Sequence, residues 1–187
     1  MRRFVRAIQY VRWLYDGFGQ EPFCLDKASS EALTIDLSSL GQELSVYLLK
    51  EGTEEEREKI ALKVLVDCLR NYKEGVTLIV FDDDYLENCG YELKEAKKAN
   101  PFGIDHYNIT QVKTSKCILE IANHIGHDLS TGKCEYFDYS IEDLFRFSLK
   151  YAETLKQYDG LDNIKKDRLK RLFSSYGEKD QIKALFN

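Results

Sequence analysis

One short run of residues, Val76–Phe81, constrains the fold of this chain most strongly. Its residues are apolar or β-branched on both faces, which is typical of a strand buried inside a sheet. The run follows a predicted helix that begins with a capping box, in which Thr53 is followed three residues later by Glu56. Because a lone strand is not stable, we expect Leu33–Leu37 or Leu44–Leu49 to pair with it.

Apolar residues at helical spacing recur through much of the rest of the chain. An N-terminal helix is predicted by the stripe Phe4, Ile8, Val11, Tyr15 and Phe18. Further helices are predicted over residues 86–96, 110–124, 141–159, 161–173 and 182–186. Residues 43–49 fit either a helix or a strand, because their apolar residues match both periods. The pattern therefore predicts an α+β fold that is predominantly helical, with about six or seven helices around a small sheet containing the 76–81 strand.

Size and charge limit what the chain can be. At 187 residues we expect one globular domain spanning 1–187, since this length buries a sizeable core without cross-links. The formal charge is −5, from 27 basic and 32 acidic residues, which does not favour bulk nucleic-acid binding. Five widely spaced cysteines favour free thiols in a reducing compartment, so we expect a cytoplasmic protein. No apolar run is long enough to predict a membrane span.

Acidic and tyrosine residues cluster in two parts of the chain. The predicted partner-binding residues are Asp82, Asp83, Asp84, Tyr85, Glu87, Tyr91, Glu135, Tyr136, Asp138 and Tyr139. On a surface, tyrosine rings anchor a partner while carboxylates attract and select a basic one. Inhibitors and toxin-neutralising immunity proteins that block basic sites have surfaces of this character. The pattern therefore predicts a non-catalytic protein-binding domain whose partner is a protein with a basic surface.

A second interpretation is a metal-dependent hydrolase of the phosphohydrolase or nuclease type. The spacing Cys-x6-His-x2-His-x6-Cys places four potential zinc ligands close in sequence, and His106 lies just before them: Cys117, His124, His127 and Cys134. Alternatively, the run Asp82–Asp84 supplies oxygen ligands for Mg²⁺ at the end of the predicted strand. On the first interpretation no cofactor is needed, whereas on the second zinc or Mg²⁺ is.

The acidic run also starts a pattern found in one nuclease core, D…E-x-K, completed here by Glu92 and Lys94. Those enzymes need the E-x-K segment on a strand near the aspartate. The composition of residues 91–98 instead favours a helix, so the pattern carries little weight. We therefore prefer the non-catalytic interpretation, because no catalytic motif has the spacing that its chemistry requires.

Overall fold

The computed structural model describes residues 2–8, 43–67, 75–96, 100–112, 114–133 and 135–186. The strands are β1 (Arg3–Ile8), β2 (Leu44–Leu49), β3 (Val76–Asp82), β4 (Glu92–Glu95), β5 (His106–Thr110) and β6 (Tyr136–Tyr139). The helices are α1 (Glu54–Asp67), α2 (Asp83–Asn88), α3 (Ser115–Ser130), α4 (Ile141–Lys150), α5 (Ala152–Lys156), α6 (Asn163–Phe173) and α7 (Lys179–Phe186).

The strands form one antiparallel sheet in the order β4-β5-β2-β1-β3-β6. The predicted strand 76–81 is confirmed as β3, which lies between β1 and β6. The prediction that Leu44–Leu49 pairs with this strand is wrong, because that segment forms β2, which pairs with β1 and β5. In the described residues the neighbours of β3 are β6 and β1, and the β1 pair places Arg3 opposite Asp82 and Ile8 opposite Thr77. The other predicted partner, Leu33–Leu37, lies outside the described residues.

The predicted fold class, a predominantly helical protein with a small sheet, is wrong in its proportions. Among the described residues the fold is α+β, with 24% strand and 50% helix, and the strands form a sheet of six. Several segments predicted as helices, or left open, are strands. The conformation of a short segment is difficult to predict from its own residues, because hydrogen bonds to other strands decide it rather than local preferences.

β1 shows why the helical prediction at the N-terminus fails. Phe4 and Ile8 are four residues apart, a spacing that places side chains on one face of a helix and equally on one face of a strand. Every residue from Phe4 to Ile8 is buried, so the side chains on both faces of this central strand are covered. The alternation of polar and apolar residues that identifies a half-exposed strand is therefore missing. The remainder of the predicted stripe, residues 11–18, lies outside the described residues.

For two further segments, the structure decides between the predicted alternatives in one case and corrects the prediction in the other. Residues 44–49, for which a helix and a strand were both possible, form β2, with Leu44 and Val46 buried and Ser45 exposed. The predicted helix 86–96 ends early: α2 stops at Asn88, Gly90 adopts a positive φ of 76°, and β4 follows. A glycine adopts this conformation without steric cost, so Gly90 allows the chain to turn.

The predicted helix 110–124 is shifted and longer in the structure. Thr110 belongs to β5, and α3 runs from Ser115 to Ser130 through a buried Gly126. Gly132, whose φ is 67°, follows the end of the helix, and the Lys133 N–H donates to the Asp128 carbonyl at 2.9 Å. A backbone hydrogen bond that closes a turn of six residues, with a left-handed glycine just before the donor, is the Schellman motif.

The chain divides into two compact units. The first comprises residues 1–50, 77–97 and 105–137, and the second comprises residues 51–76, 98–104 and 138–187. The prediction of a single domain stays a prediction, since two compact units can unfold together in one transition. The core of the first unit is formed by buried side chains from the sheet and from α2 and α3, among them Phe4, Ile79, Leu86, Ile109, Ile121 and Ile125.

The second unit is built from helices. α1 packs on α4, α4 on α6, and α7 on both α5 and α6. The predicted cap at Ser140 is confirmed: its hydroxyl accepts from the Asp143 N–H at 3.1 Å, and the Asp143 carboxylate accepts from the Ser140 N–H at 3.0 Å. Gly75 has a φ of 126°, and a Cβ there would lie 2.2 Å from the Tyr139 carbonyl oxygen. None of the described helices combines the length and apolarity needed to cross a membrane.

The predicted capping box at the start of α1 forms in a modified way. The Thr53 hydroxyl accepts from the Glu56 N–H at 3.3 Å, as predicted. The Glu56 carboxylate, however, reaches further back and accepts from the N–H groups of Glu51 and Gly52, at 3.0 and 2.8 Å. The carboxylate thus orders the turn that leads into the helix, as well as lying close to the positive end of the helix dipole.

Candidate functional site

The three aspartates at the end of β3 have different environments. Asp82 and Asp84 are exposed, whereas Asp83 is buried. The Asp83 carboxylate accepts from the backbone N–H and the guanidinium Nε of Arg2, both at 3.1 Å. Burial by itself would raise the pKa of Asp83, but the hydrogen bonds and charge of Arg2 outweigh it and lower the pKa. Asp83 therefore joins the start of β1 to the start of α2, and a partner could reach only its two neighbours.

Arginine lies among the predicted acidic residues. Arg3 is the cross-strand neighbour of Asp82 in the β1–β3 pair, and its guanidinium also forms an ion pair with Glu135. The Val80 N–H donates to the Glu135 carbonyl at 2.9 Å, which holds Glu135 beside β3. Arg2 and Arg3 were not predicted as part of this site, because the long separation between β1 and β3 in sequence leaves no local signal for their pairing.

The predicted aromatic residues of β6 are not equivalent. Tyr136 is exposed to 44%, while Tyr139 is half-buried and packs edge-on against Phe147 with 5.3 Å between ring centroids. Asp138 is exposed. Alternation along the strand explains the difference, since successive side chains point to opposite faces of the sheet. Tyr136 is thus the large aromatic side chain of the predicted set that is most accessible to a partner.

Tyr85 and His124 form a stacked pair between α2 and α3. Their rings are nearly parallel, with 3.4 Å between centroids and an interplanar angle of 8°. His124 Nε2 lies 3.4 Å from Asp128 Oδ2, one helical turn further along α3. Burial lowers the pKa of His124, with His127 adding to the effect and Asp128 and Asp82 opposing it. His124 is therefore neutral at neutral pH.

Tyr91 connects the end of α2 to the beginning of α3. Its hydroxyl donates to the Cys117 carbonyl at 3.2 Å and lies 3.4 Å from Glu120 Oε2. Burial is the main reason why the pKa values of both Tyr91 and Tyr85 are raised above the ordinary value, with nearby thiols and Glu120 adding to it. Both phenols keep their protons at neutral pH, so they act as hydrogen-bond donors and packing surfaces rather than as bases.

The structure brings some of the predicted zinc ligands onto one helix. Cys117, His124 and His127 all lie on α3, and Cys134 lies outside the described residues. His106 is on β5, where its ring stacks on Tyr47 with 5.2 Å between centroids. In the described part of the chain, no three His, Cys, Asp or Glu side chains are arranged to hold a metal ion. The zinc and Mg²⁺ sites stay predictions, for which metal analysis of the purified chain is the test.

The structure also decides the geometry of the D…E-x-K pattern. Glu92 and Lys94 do lie on a strand, β4, so the helical prediction for this segment is wrong. However, β4 is at one edge of the sheet and is separated from β3 by β5, β2 and β1. At about 4.8 Å per strand, Asp82 and the E-x-K segment are about 19 Å apart across the sheet. One metal ion cannot bridge that distance, so these residues do not form the nuclease site.

Comparison with protein-family models, with curated proteins and with solved structures found no match for this chain.

Proposed function

We propose that this chain is a non-catalytic protein-binding domain that engages a basic partner through an acidic surface on its first unit. The acidic surface consists of Asp82, Asp84, Glu87, Glu135 and Tyr136. Asp83 and Tyr91 belong to the predicted set but are buried, so we assign them to the scaffold. Inhibitors and toxin-neutralising immunity proteins that block basic sites are the kinds of binding protein that we propose for this class.

The exposure of Tyr136 is the observation that carries the proposal. A tyrosine exposed to 44% on the edge strand β6 supplies an anchoring ring, and the exposed carboxylates of Glu135 and of Asp82 in the neighbouring strand β3 supply charge that attracts a basic surface. The ion pair of Arg3 with Glu135 and the cross-strand position of Arg3 beside Asp82 limit the side-chain freedom of these acids. Restricting side chains before association reduces the entropy lost on binding.

The first experiment is affinity capture, at low salt, from a lysate of the cells that encode the chain. Captured proteins would be identified by mass spectrometry, and the affinity of a purified candidate would be measured by calorimetry. We expect a basic partner whose affinity falls by about 30-fold for Tyr136→Ala, the loss of about 2 kcal/mol typical of an interface anchor. The double substitution Asp82→Lys with Asp84→Lys should weaken binding further and reduce its salt dependence.

Matched control variants are available outside the acidic surface. Tyr176 is exposed to 46%, close to the value for Tyr136, so Tyr176→Ala controls for the loss of an exposed ring. Glu153, with a side chain exposed to 82%, is suited to a control charge reversal to Lys. A partner that binds Tyr136→Ala and Tyr176→Ala equally well would refute the proposal, provided that circular dichroism shows both variants to be folded.

Metal analysis of the same preparation tests the alternative, a metal-dependent hydrolase. Stoichiometric zinc that is lost on both Cys117→Ser and His127→Ala would support that alternative. If the chain then hydrolysed a phosphoester, the non-catalytic proposal would be wrong.

A further inference from the structure

Two arginines at the beginning of β1 form ion pairs with acids that differ in their accessibility. Arg2 pairs with Asp83, whose side chain is only 10% exposed, so a partner protein cannot reach this carboxylate. Arg3 pairs with Glu135, whose side chain is 51% exposed and belongs to the acidic surface. The pair formed by Arg3 is therefore the one in which a cation from a partner can replace the arginine.

The Arg3 side chain crosses β3 to reach Glu135. β3 lies between β1 and β6 in the sheet, and Glu135 directly precedes β6. The Val80 N–H donates to the Glu135 carbonyl, which holds Glu135 beside β3 on the side away from β1. Asp82 is opposite Arg3 in the β1–β3 pair, so these two side chains lie on one face of the sheet. The Arg3 guanidinium thus lies over β3, on the face that carries Asp82.

The ion pair of Arg3 with Glu135 is weak enough for a partner to displace it. Both side chains are partly exposed, and solvent screens such pairs, so displacing Arg3 reduces affinity by only about two- to fivefold. A single cation from a partner gains on Glu135 about what Arg3 gives up, so this exchange adds little net affinity. Further cations beside the first would contact Asp82 and Asp84, which are both exposed.

We propose that Arg3 is a built-in competitor on the acidic surface, which makes this surface selective for a partner segment with several adjacent lysine or arginine residues. A segment with one isolated cation gains little, because Arg3 already occupies Glu135. A segment with adjacent cations displaces Arg3 and contacts Asp82 or Asp84 as well. This inference rests on the proposed function, and it adds the class of partner segment and the residue that selects it.

The test uses the full chain and two fluorescent peptides of equal length and equal charge. One peptide carries four consecutive lysines, and in the other three serines separate each lysine from the next, which places the cations of an extended peptide about 13 Å apart. Equal charge gives both peptides the same long-range attraction to the chain. Fluorescence anisotropy at about 0.05 M NaCl should show that the wild-type chain binds the consecutive lysines about threefold more tightly, or better.

Arg3→Gln removes the competitor. It should strengthen binding of the peptide with separated lysines by about two- to fivefold, and it should reduce the preference for consecutive lysines. Arg146→Gln is the matched control, because Arg146 also forms an ion pair, with Asp143, and its side chain is 66% exposed, but it lies on α4 in the second unit. This control removes the same charge and should leave the preference unchanged. Circular dichroism should show that both variants are folded.

A double-mutant cycle tests whether Glu135 is the group for which Arg3 competes. Glu135→Gln removes that group, so adding Arg3→Gln to it should change peptide binding less than Arg3→Gln does in the wild-type chain. Additive effects, or equal effects of Arg3→Gln and Arg146→Gln, would overturn this inference and leave the proposed function intact. If no variant bound either peptide, both would be overturned, since the acidic surface would then not attract a basic segment.

Discussion

Lys63, in the middle of α1, is a charged residue with almost no contact with solvent. Its side chain is 1% exposed, and its ammonium lies 2.6 Å from Asp67 Oδ2 and 5.6 Å from the centre of the Tyr158 ring. The Tyr158 hydroxyl donates to the other oxygen of Asp67. Taking both charges out of water is costly, and their mutual contact, together with the tyrosine hydroxyl on Asp67, offsets part of that cost. Removing one partner should therefore destabilise the fold strongly.

The substitution Lys63→Met tests this reasoning with little change of side-chain length. Breaking a buried ion pair by removing one partner costs about 3–5 kcal/mol. Asp67 is 21% exposed and keeps the Tyr158 hydroxyl, so water can solvate part of the remaining carboxylate. We therefore expect the lower end of the range, a loss of about 3 kcal/mol. The measurement is urea-induced unfolding followed by far-ultraviolet circular dichroism.

The same helix provides a matched control. Lys59 and Glu55 form an ion pair that is also four residues apart and also 2.6 Å long, but their side chains are 28% and 62% exposed. Because solvent screens this pair, Lys59→Met should change the free energy of unfolding far less. The double substitution Lys63→Met with Asp67→Leu should recover part of the loss, since no unpaired charge stays buried. Equal effects of Lys63→Met and Lys59→Met would refute the argument from burial.

Three further predictions concern glycine geometry, helix capping and pH. Gly75→Ala should lower the free energy of unfolding by about 2 kcal/mol or more, while Gly90→Ala, where a Cβ meets no atom within 4 Å, should cost only about 1 kcal/mol. Ser140→Ala removes the cap of α4 and should cost about 1 kcal/mol in urea unfolding, whereas no change would argue against the capping box. His124 resists protonation in the folded state, so stability should fall as pH drops from the unfolded pKa near 6.5 through the lower folded pKa. His124→Gln should flatten the difference in urea midpoint between about pH 7.5 and about pH 5.5, and an unchanged slope would contradict this.

Features decided by neighbouring residues were predictable from the sequence. The Ser140 cap depends on a side chain and a backbone group three residues apart, and the buried strand 76–81 depends on a run of β-branched and apolar residues. The existence of a helix carrying Cys117 and His124 was predicted correctly. Its end was not, because the sequence permits a glycine both within a buried helix, as at Gly126, and at its end, as at Gly132.

Features decided by distant parts of the chain were not predictable. β1 and β4 were both predicted as helices, and each is a strand because it pairs with another strand: β1 with β3, which is remote in sequence, and β4 with β5, the next strand along the chain. The register of β1 against β3 places Arg3 opposite Asp82, and the sequence carries no sign of this pairing. Helical and strand periods also coincide at a spacing of four residues, so the apolar pattern alone could not distinguish them.

For the candidate sites, the sequence by itself determined which chemical groups were present and the order in which they occur. It supplied tyrosines and carboxylates for a binding surface, and thiols and imidazoles for a possible metal site. Only the tertiary structure decided which of these reach solvent: Asp83 is covered and paired with Arg2, Tyr91 is buried against α3, and Tyr136 is exposed. Burial and charge pairing depend on contacts between segments far apart in sequence, and those contacts exist only once the sheet and helices have packed.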